Sequence, residues 1–248
     1  MQPSQLCVPD GQRVYAIGDV HGRLDLFRKM INAIEADNHA RSPAEVTVIL
    51  LGDLIDRGPD SAGVIRLARQ WSERRDVRLL LGNHEEMFLG ALASPDLLRH
   101  FLRIGGRETV ESYGLPNAAF DLPADEICDM LVELVPPSDI AFLEAMEDQI
   151  RIGDYLFVHA GIRPGVTPEQ QETGDLRWIR EPFLSHRQPH GFCVVHGHTI
   201  SDEVEQVPSA DHPYRIGIDT GAYATGRLTA IGLQGSDRWF METAVPQG

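Results

Sequence analysis

The sequence is poor in cysteine and has no long apolar segment. Its 248 residues include Cys7, Cys128 and Cys193, an odd number at wide spacing without a CxxC motif. This pattern argues against a disulfide scaffold or a structural zinc and favours a reducing compartment. The longest apolar runs, such as residues 46–51, are far shorter than the roughly 20 residues of a membrane helix. No basic segment followed by an apolar stretch opens the chain, so the sequence predicts a cytoplasmic protein.

Positive charge is also scarce. The chain has 22 Lys and Arg residues against 37 Asp and Glu residues, which gives a formal net charge of −15. So acidic a surface repels a nucleic-acid backbone and an anionic membrane, and we expect neither as a partner. A small phosphate ester is still compatible with this charge, because a bound metal ion can supply positive charge locally.

Three similar units occupy the first part of the chain. In each, a short β-rich run ends in a glycine-containing polar turn and continues as an amphipathic helical pattern; the runs are residues 14–17, 46–51 and 77–81. Repeated in this way, the pattern predicts βαβ units and a mostly parallel sheet. Functional loops lie at the carboxyl ends of such strands, which is where the polar turns fall.

The middle of the chain differs from what precedes it. Residues 94–149 have a helical pattern punctuated by prolines, and we interpret them as a helical insertion within one domain of residues 1–248. Strand patterns then resume, and the late strands can form a second, mixed sheet. They are residues 155–158, 192–195, 215–218, 228–233 and 238–242.

Five clusters of Asp, Asn and His each follow an apolar strand. They are Gly18-Asp19-Val20-His21-Gly22, Gly52-Asp53-Leu54-Ile55-Asp56-Arg57-Gly58, Gly82-Asn83-His84-Glu85, His159-Ala160-Gly161 and His196-Gly197-His198-Thr199. Alone, each is compatible with an ordinary turn, since short polar side chains bond the local backbone. Together, their carboxylate, imidazole and amide groups suit divalent cations such as Mn²⁺, Fe²⁺ and Zn²⁺. Six ligands with one shared carboxylate would suit two such ions about 3.5–4 Å apart.

The order GDxHG, GDxxDRG, GNHE, HAG, GHT resembles the phosphoprotein phosphatase family of calcineurin-like metallophosphoesterases, in particular its bacterial and bacteriophage lambda members. The resemblance extends from about residue 13 to residue 233. It implies an α/β fold in which two mixed sheets flanked by helices form a four-layer α/β/β/α sandwich. It also implies two divalent metal ions, with Mn²⁺ favoured and Fe or Zn²⁺ as alternatives.

The resemblance further implies a role for each motif residue. The implied metal ligands are Asp19 and His21 for the first ion, Asp53 for both, and Asn83, His159 and His198 for the second. A hydroxide bridging the ions would attack phosphorus directly.

Other residues would act on the phosphate and on the leaving group. Arg57 and Asn83 would hold the phosphate oxygens, and Arg180 matches a second phosphate-binding arginine of the lambda-like enzymes. His84 would be the general acid, oriented by Asp56. Three further residues are left with open roles: Tyr223 lines the pocket or belongs to a structural turn, His196 supports a ligand or belongs to a turn, and Glu85 orients the GNHE loop.

The expected activity is that of a serine/threonine protein phosphatase acting on a phosphorylated protein or peptide. The main alternative is a diadenosine tetraphosphatase, but those enzymes tend to have alanine, aspartate and tryptophan where this chain has Asp56, Glu85 and Thr199. A two-metal nuclease would lack Arg57, and a degenerate binding module would lack at least one ligand. The physiological substrate, a preference for tyrosine esters and the oligomeric state are left open.

Overall fold

The computed structural model describes residues 5–244, which contain ten strands. In chain order they are β1 (Gln12–Ile17), β2 (Glu45–Leu50), β3 (Asp76–Leu79), β4 (Gln149–Ile152), β5 (Tyr155–Val158), β6 (Cys193–His196), β7 (Glu205–Val207), β8 (Arg215–Gly217), β9 (Arg227–Gln234) and β10 (Asp237–Ala244). The sequence patterns identified eight of these strands. They missed β4 and β7, whose side chains are partly exposed and form no continuous apolar run.

Nine α-helices accompany the strands in the same part of the chain. They are α1 (Leu24–Ala40), α2 (Ser61–Ser72), α3 (Asn83–Ala93), α4 (Pro95–Phe101), α5 (Arg107–Ser112), α6 (Ala124–Leu134), α7 (Pro137–Glu144), α8 (Thr173–Trp178) and α9 (Ala222–Thr225). Within residues 5–244, no helix combines the length and the apolarity that crossing a bilayer requires.

The first sheet has the strand order β10-β9-β1-β2-β3. Strands β1, β2 and β3 are parallel, as the three βαβ units predict, whereas β9 is antiparallel to both β1 and β10. The expectation that all the late strands belong to a second sheet is therefore wrong for β9 and β10. They form a hairpin in which β9 pairs with the free edge of β1. This pairing depends on packing between segments that are far apart in the chain.

The second sheet has the order β4-β5-β6-β8-β7 and is mixed. Strands β5, β6 and β8 are parallel to one another, and antiparallel strands β4 and β7 form its two edges. Each sheet thus has a parallel centre, whose carboxyl ends can carry functional loops.

The two sheets stack face to face. Along β1, Tyr15 and Ile17 point into the core beneath the helices, while Val14 and Ala16 point into the core between the sheets. This alternation is the period-two geometry of a strand that is buried on both faces. Leu156 and other side chains on the far face of the second sheet pack under α8 and its neighbouring loops. The predicted four-layer fold is confirmed, although its outer layer on this side has one short helix.

The insertion predicted at residues 94–149 corresponds to helices α4 to α7, and its last residue already belongs to β4. Apolar side chains of the insertion, such as Phe101, Val110 and Leu131, join the core that α1, α2 and the first sheet share. That residues 1–248 form one domain remains a prediction.

Candidate active site

The five sequence clusters meet where the carboxyl ends of the parallel strands of both sheets converge. Asp53, in the loop after β2, is at the centre: its Oδ2 lies 3.6 Å from His21 Nε2, and its Oδ1 lies 3.4 Å from His159 Nε2. Asn83, the first residue of α3, has its Oδ1 2.9 Å from both His159 Nε2 and His198 Nδ1. Residues as far apart in the chain as His21 and His198 therefore share one small volume.

Two groups of potential ligand atoms share the Asp53 carboxylate. His21, Asp53 and His84 form one group, and Asp53, His159 and His198 form the other; within each group the atoms lie within 4.8 Å of one another. His84 takes the place in the first group that sequence reasoning gave to Asp19. Its Nδ1 is bound to Asp56, however, and its Nε2 lies 3.9 Å from Asp53 Oδ2 and 2.9 Å from Arg57 Nη2.

Asp19 nevertheless lies beside the same loops. Its Oδ2 accepts a hydrogen bond from the His198 backbone N–H at 3.0 Å, and its Oδ1 is buried without a hydrogen-bond partner. Burial raises the pKa of Asp19, and the neighbouring carboxylates of Asp219 and Asp53 raise it further. A buried carboxylate oxygen without a donor costs free energy, and a bound cation would remove that cost.

The surroundings of His159 show whether a cation fits this site. His159 Nδ1 lies 2.8 Å from the Leu51 carbonyl oxygen, so this nitrogen carries the proton and donates it. Burial lowers the pKa of His159, so the ring is neutral and has no second proton. Its Nε2 lone pair therefore faces two oxygens, Asn83 Oδ1 and Asp53 Oδ1, with no hydrogen between them. Three acceptor atoms directed at one another fit a cation in their midst.

A backbone carbonyl also fixes the tautomer of His21. Its Nδ1 donates to the Ile55 carbonyl oxygen at 2.7 Å, which directs Nε2 toward Asp53 and Arg57. Backbone carbonyls commonly fix the tautomer of metal-binding histidines like this. Burial lowers the pKa of both His21 and His198 to about 3, so both rings are in the neutral form that binds metal.

Backbone strain is concentrated in these loops. Among residues 5–244, every non-glycine residue with a positive φ belongs to one of the five clusters: His21, Asp53, Asp56, Arg57 and His198. A non-glycine residue whose backbone is in this left-handed region costs free energy. Such residues persist where the surrounding structure enforces the conformation, which is common at functional sites.

Glycines supply the close approaches that these turns need. A Cβ at Gly82 would overlap Asp53 Oδ1, and one at Gly197 would overlap Asp19 Oδ1. At Gly52, whose φ is +97°, a Cβ would lie 2.9 Å from His159 Nδ1. These three glycines are therefore needed to bring loop backbone against a carboxylate or an imidazole.

Glu85, predicted to orient the GNHE loop, bonds mainly to the loop after β2. Its Oε1 accepts from the N–H groups of Leu54 and Ile55 at 2.7 and 3.3 Å, and its Oε2 accepts from those of Asp53 and Gly82 at 2.9 and 3.1 Å. Burial and the Asp53 carboxylate raise the pKa of Glu85 to about 7. One fully buried side chain thus connects the loop after β2 to the start of α3.

His84 and Asp56 form a buried pair at the edge of the metal-ligand groups. His84 Nδ1 lies 2.5 Å from Asp56 Oδ2, and both side chains are almost inaccessible to solvent. Burial alone would lower the pKa of His84, but the carboxylates of Asp53 and Asp56 outweigh it and raise that pKa. The pair can therefore hold a proton beside the metal ligands.

The sequence profile of the calcineurin-like phosphoesterases matches residues 12–219. The chain belongs to this family. The predicted family is confirmed, and with the geometry above it makes the protein a metallophosphoesterase whose Asp and His cluster can bind divalent metal.

Two different names recur among the relatives of this phosphoesterase. It is 29% identical to the serine/threonine-protein phosphatase 1 of Salmonella typhimurium over 232 residues, covering 90% of this chain and 93% of the relative. It is 31% identical to the symmetrical bis(5'-nucleosyl)-tetraphosphatase of Cronobacter sakazakii over 228 residues, covering 81% and 72%. Relatives with the second name are more numerous, and several are matched over only about half of their own length.

A solved structure confirms the architecture. The crystal structure of a candidate diadenosine tetraphosphatase superposes with a TM-score of 0.66 at 20% identity, covering 98% of this chain and 96% of that chain. At this level of identity the likeness concerns the fold alone.

Three of the candidate metal ligands line a cleft of about 520 Å³: Asp53, Asn83 and His198. Arg57 and Arg180 both line it, as does Tyr223, whose ring lies 4.8 Å from the Arg57 guanidinium carbon and 5.2 Å from the His21 ring. With Asn83, the four residues predicted to contact substrate therefore border the same space. The helical insertion contributes His100 and Ile104 to its wall.

Sequence reasoning missed Thr109, which completes this phosphoesterase site. Its Oγ1, on α5 of the insertion, lies 2.5 Å from Asp56 Oδ1. Asp219, in the same segment as Tyr223, lies next to Asp19. Thr109 is 53 positions from Asp56 and belongs to no motif, so no local pattern could identify it. His196 bonds the Gly197 carbonyl oxygen and packs on Phe183, which fits the structural interpretation.

Proposed function

We propose that this phosphoesterase hydrolyses phosphate monoesters and that phosphoserine or phosphothreonine in protein or peptide is its substrate. The observation that carries the proposal is the buried His84–Asp56 pair, with its 2.5 Å contact, beside the candidate metal ligands. An alkoxide is a poor leaving group and needs a proton as the ester bond breaks. A proton donor of this kind typically contributes about 10²–10⁴-fold to the rate.

We further propose that the candidate ligands hold two divalent cations, with Mn²⁺ favoured and Fe or Zn²⁺ as alternatives. The ligands would be Asp19, His21, Asp53, Asn83, His159 and His198. When bound, such ions neutralise phosphate charge and acidify an attacking water. The orphaned Asp19 oxygen and the acceptor atoms facing His159 support this part of the proposal.

The remaining cleft residues would bind the phosphate and direct the proton. Arg57, partly buried and braced between His21 and His84, would present its guanidinium to the phosphate oxygens. Asn83 would bind phosphate on the metal side and Arg180 at the rim, with Tyr223 lining the pocket. Planar guanidinium donors match phosphate geometry. With Arg57 Nη2 turned from His84 Nε2 to the phosphate, His84, held by Asp56 through Nδ1, would carry a proton on Nε2 and give it to the departing oxygen.

A symmetrical diadenosine tetraphosphatase is the second candidate, and the names of the more numerous relatives favour it. The chemistry of the site favours the monoesterase. Symmetrical cleavage of diadenosine tetraphosphate breaks a phosphoanhydride bond and releases a nucleoside diphosphate. Its phosphate oxygen leaves readily without protonation, so a proton donor such as the Asp56–His84 pair would contribute little to the rate. We also infer a reducing, cytoplasmic location and no membrane or nucleic-acid partner from the cysteine usage and the acidic surface.

The test is a direct comparison of substrates. The purified full-length chain, supplied with Mn²⁺, is assayed on phosphoserine, phosphothreonine and phosphotyrosine peptides and on diadenosine tetraphosphate. We expect kcat/KM to be highest for a phosphoserine or phosphothreonine peptide and activity to disappear on chelation. Preference for diadenosine tetraphosphate would support the second candidate, and full activity without divalent metal would overturn the metal assignment.

A further inference from the structure

The helical insertion supplies a hydroxyl group to the buried carboxylate that holds His84. Asp56 Oδ1 accepts a hydrogen bond from Thr109 Oγ1 at 2.5 Å, while Asp56 Oδ2 contacts His84 Nδ1 at 2.5 Å. Asp56 and Thr109 are both fully buried. Each carboxylate oxygen therefore has one partner, and the two partners come from different parts of the chain.

The directions of the hydrogen bonds around Thr109 are determined by their partners. The Asp56 backbone N–H must donate, and it reaches Ser61 Oγ at 3.0 Å and Thr109 Oγ1 at 2.9 Å. Because Asp56 Oδ1 can only accept, the Thr109 hydroxyl proton points to the carboxylate. Ser61 Oγ, 2.9 Å from Thr109 Oγ1, then donates its own proton to Thr109. The hydroxyl pair thus binds both the backbone and the side chain of Asp56.

The segment before α5 contacts the next residue of the same loop. The Arg57 backbone N–H donates to the Gly105 carbonyl oxygen at 2.9 Å, and a Cβ at Gly105 would lie 2.7 Å from Arg57 Cγ. Asp56 and Arg57 both have positive φ values, of 72° and 67°. The insertion therefore braces a strained dipeptide that has the carboxylate on one side and the phosphate-binding guanidinium on the other.

We propose that Thr109 is a positioning residue: it fixes the Asp56 carboxylate so that His84, bound through Nδ1, is held with Nε2 directed at the leaving oxygen. The inference rests on the proposed monoesterase function. Without the hydroxyl, Asp56 Oδ1 is buried with no donor, and the carboxylate can rotate away from His84 Nδ1 or take up a proton itself. Either change weakens proton donation and leaves the metal ligands and the arginines in place.

The experiment compares leaving groups rather than rates alone. Thr109→Val is nearly isosteric and removes only the hydroxyl. We measure kcat on a phosphoserine peptide, whose alkoxide needs a proton, and on p-nitrophenyl phosphate, whose phenolate leaves unaided. The measured ratio is kcat on the phosphoserine peptide divided by kcat on p-nitrophenyl phosphate. It should fall about tenfold to a hundredfold, as expected for the loss of one hydrogen bond to a charged group. This ratio does not depend on the fraction of folded enzyme, so partial unfolding cannot mimic the effect.

Two matched variants accompany it. Thr109→Ser keeps the hydroxyl and should keep the wild-type ratio. Ser112→Ala removes another hydroxyl from the same helix, one that binds the Ala62 N–H and the Thr109 carbonyl oxygen but does not reach Asp56. It should lower stability without changing the ratio. If Thr109→Val gives no folded protein, Thr109→Ala is measured in the same way, with the same expected direction.

A wild-type ratio in a folded Thr109→Val or Thr109→Ala variant would overturn the inference, even if kcat fell by the same factor on both substrates. His84→Asn, measured in the same series, separates this outcome from failure of the proposed function. If His84→Asn lowers the ratio and the Thr109 variants do not, only the role of Thr109 is wrong. If His84→Asn leaves the ratio unchanged, the proton-donor assignment itself is wrong.

Discussion

Replacing Glu85 by glutamine should destabilise the fold far more than so small a change suggests. The carboxylate accepts four backbone N–H bonds, two at each oxygen, in a fully buried position. Glutamine keeps one accepting oxygen, and its NH₂ group would face the other two N–H donors. Two buried donors would lose their acceptor at about 1–3 kcal/mol each, or about 2–6 kcal/mol in total.

Part of this cost is offset. The neutral amide is easier to bury than a carboxylate beside Asp53, and that difference is why the pKa of Glu85 is raised to about 7. We therefore expect a net loss of about 3 kcal/mol in the free energy of unfolding. For a chain of this size such a loss lowers the melting temperature by about 6–12 °C.

The assay is urea and thermal unfolding of the metal-free protein in chelator, so that metal binding does not contribute. Glu86→Gln is the matched control, since the neighbouring Glu86 is partly exposed and bonds the Arg177 and Trp178 side chains. It should cost no more than about 1 kcal/mol. If Glu85→Gln unfolds within about 1 kcal/mol of wild type, the buried carboxylate does not hold the loop as we argue.

Three further results are expected. His84→Asn should retain wild-type metal content by elemental analysis but lose about 10²–10⁴-fold in turnover of a phosphoserine peptide; normal turnover would refute the proton-donor role. Gly197→Ala should bind metal at least about tenfold more weakly by calorimetry, because the new Cβ would overlap Asp19 Oδ1. Gly174→Ala, with open space around it, is its control, and equal affinities would contradict the steric argument. Burial lowers the pKa of His190 to about 4, against about 6.5 in the unfolded chain. Between these pH values the unfolded state binds a proton at His190 that the folded state does not bind. The free energy of unfolding should therefore decrease as pH falls through that range. His190→Gln, measured by urea unfolding at pH 7 and pH 5, should lose less stability than wild type on acidification, and an equal or larger loss would refute this account.

The names of the relatives do not decide the substrate, but the position of Asp56 bears on it. An aspartate behind the histidine is useful where the leaving oxygen needs a proton, as in a serine or threonine ester. Its carboxylate is bound by Thr109 of the insertion as well as by His84, so helices α5 and α3 both position it. This arrangement is the physical basis for preferring the monoesterase to the tetraphosphatase.

Much of the architecture was predictable because its signals are local. The parallel strands β1, β2 and β3 appear as apolar runs ending in glycine turns, and the ligands follow directly in the chain. Strands β4 and β7 have partly exposed side chains and so lack a continuous apolar run, whereas the equally short strands β5, β6 and β8 are fully buried. The pairing of β9 with β1 could not be predicted, because a strand pattern shows that a segment is extended and does not show which edge it will join.

By itself, the sequence determined which residues could bind metal, because ligand type, glycine spacing and strand ends are properties of short segments. Only the tertiary structure decided that Asp53 lies between His21 and His159, that Glu85 joins two loops, and that Thr109 reaches Asp56. These contacts join segments tens to more than a hundred residues apart. Such proximity results from packing the whole chain, and no local pattern encodes it.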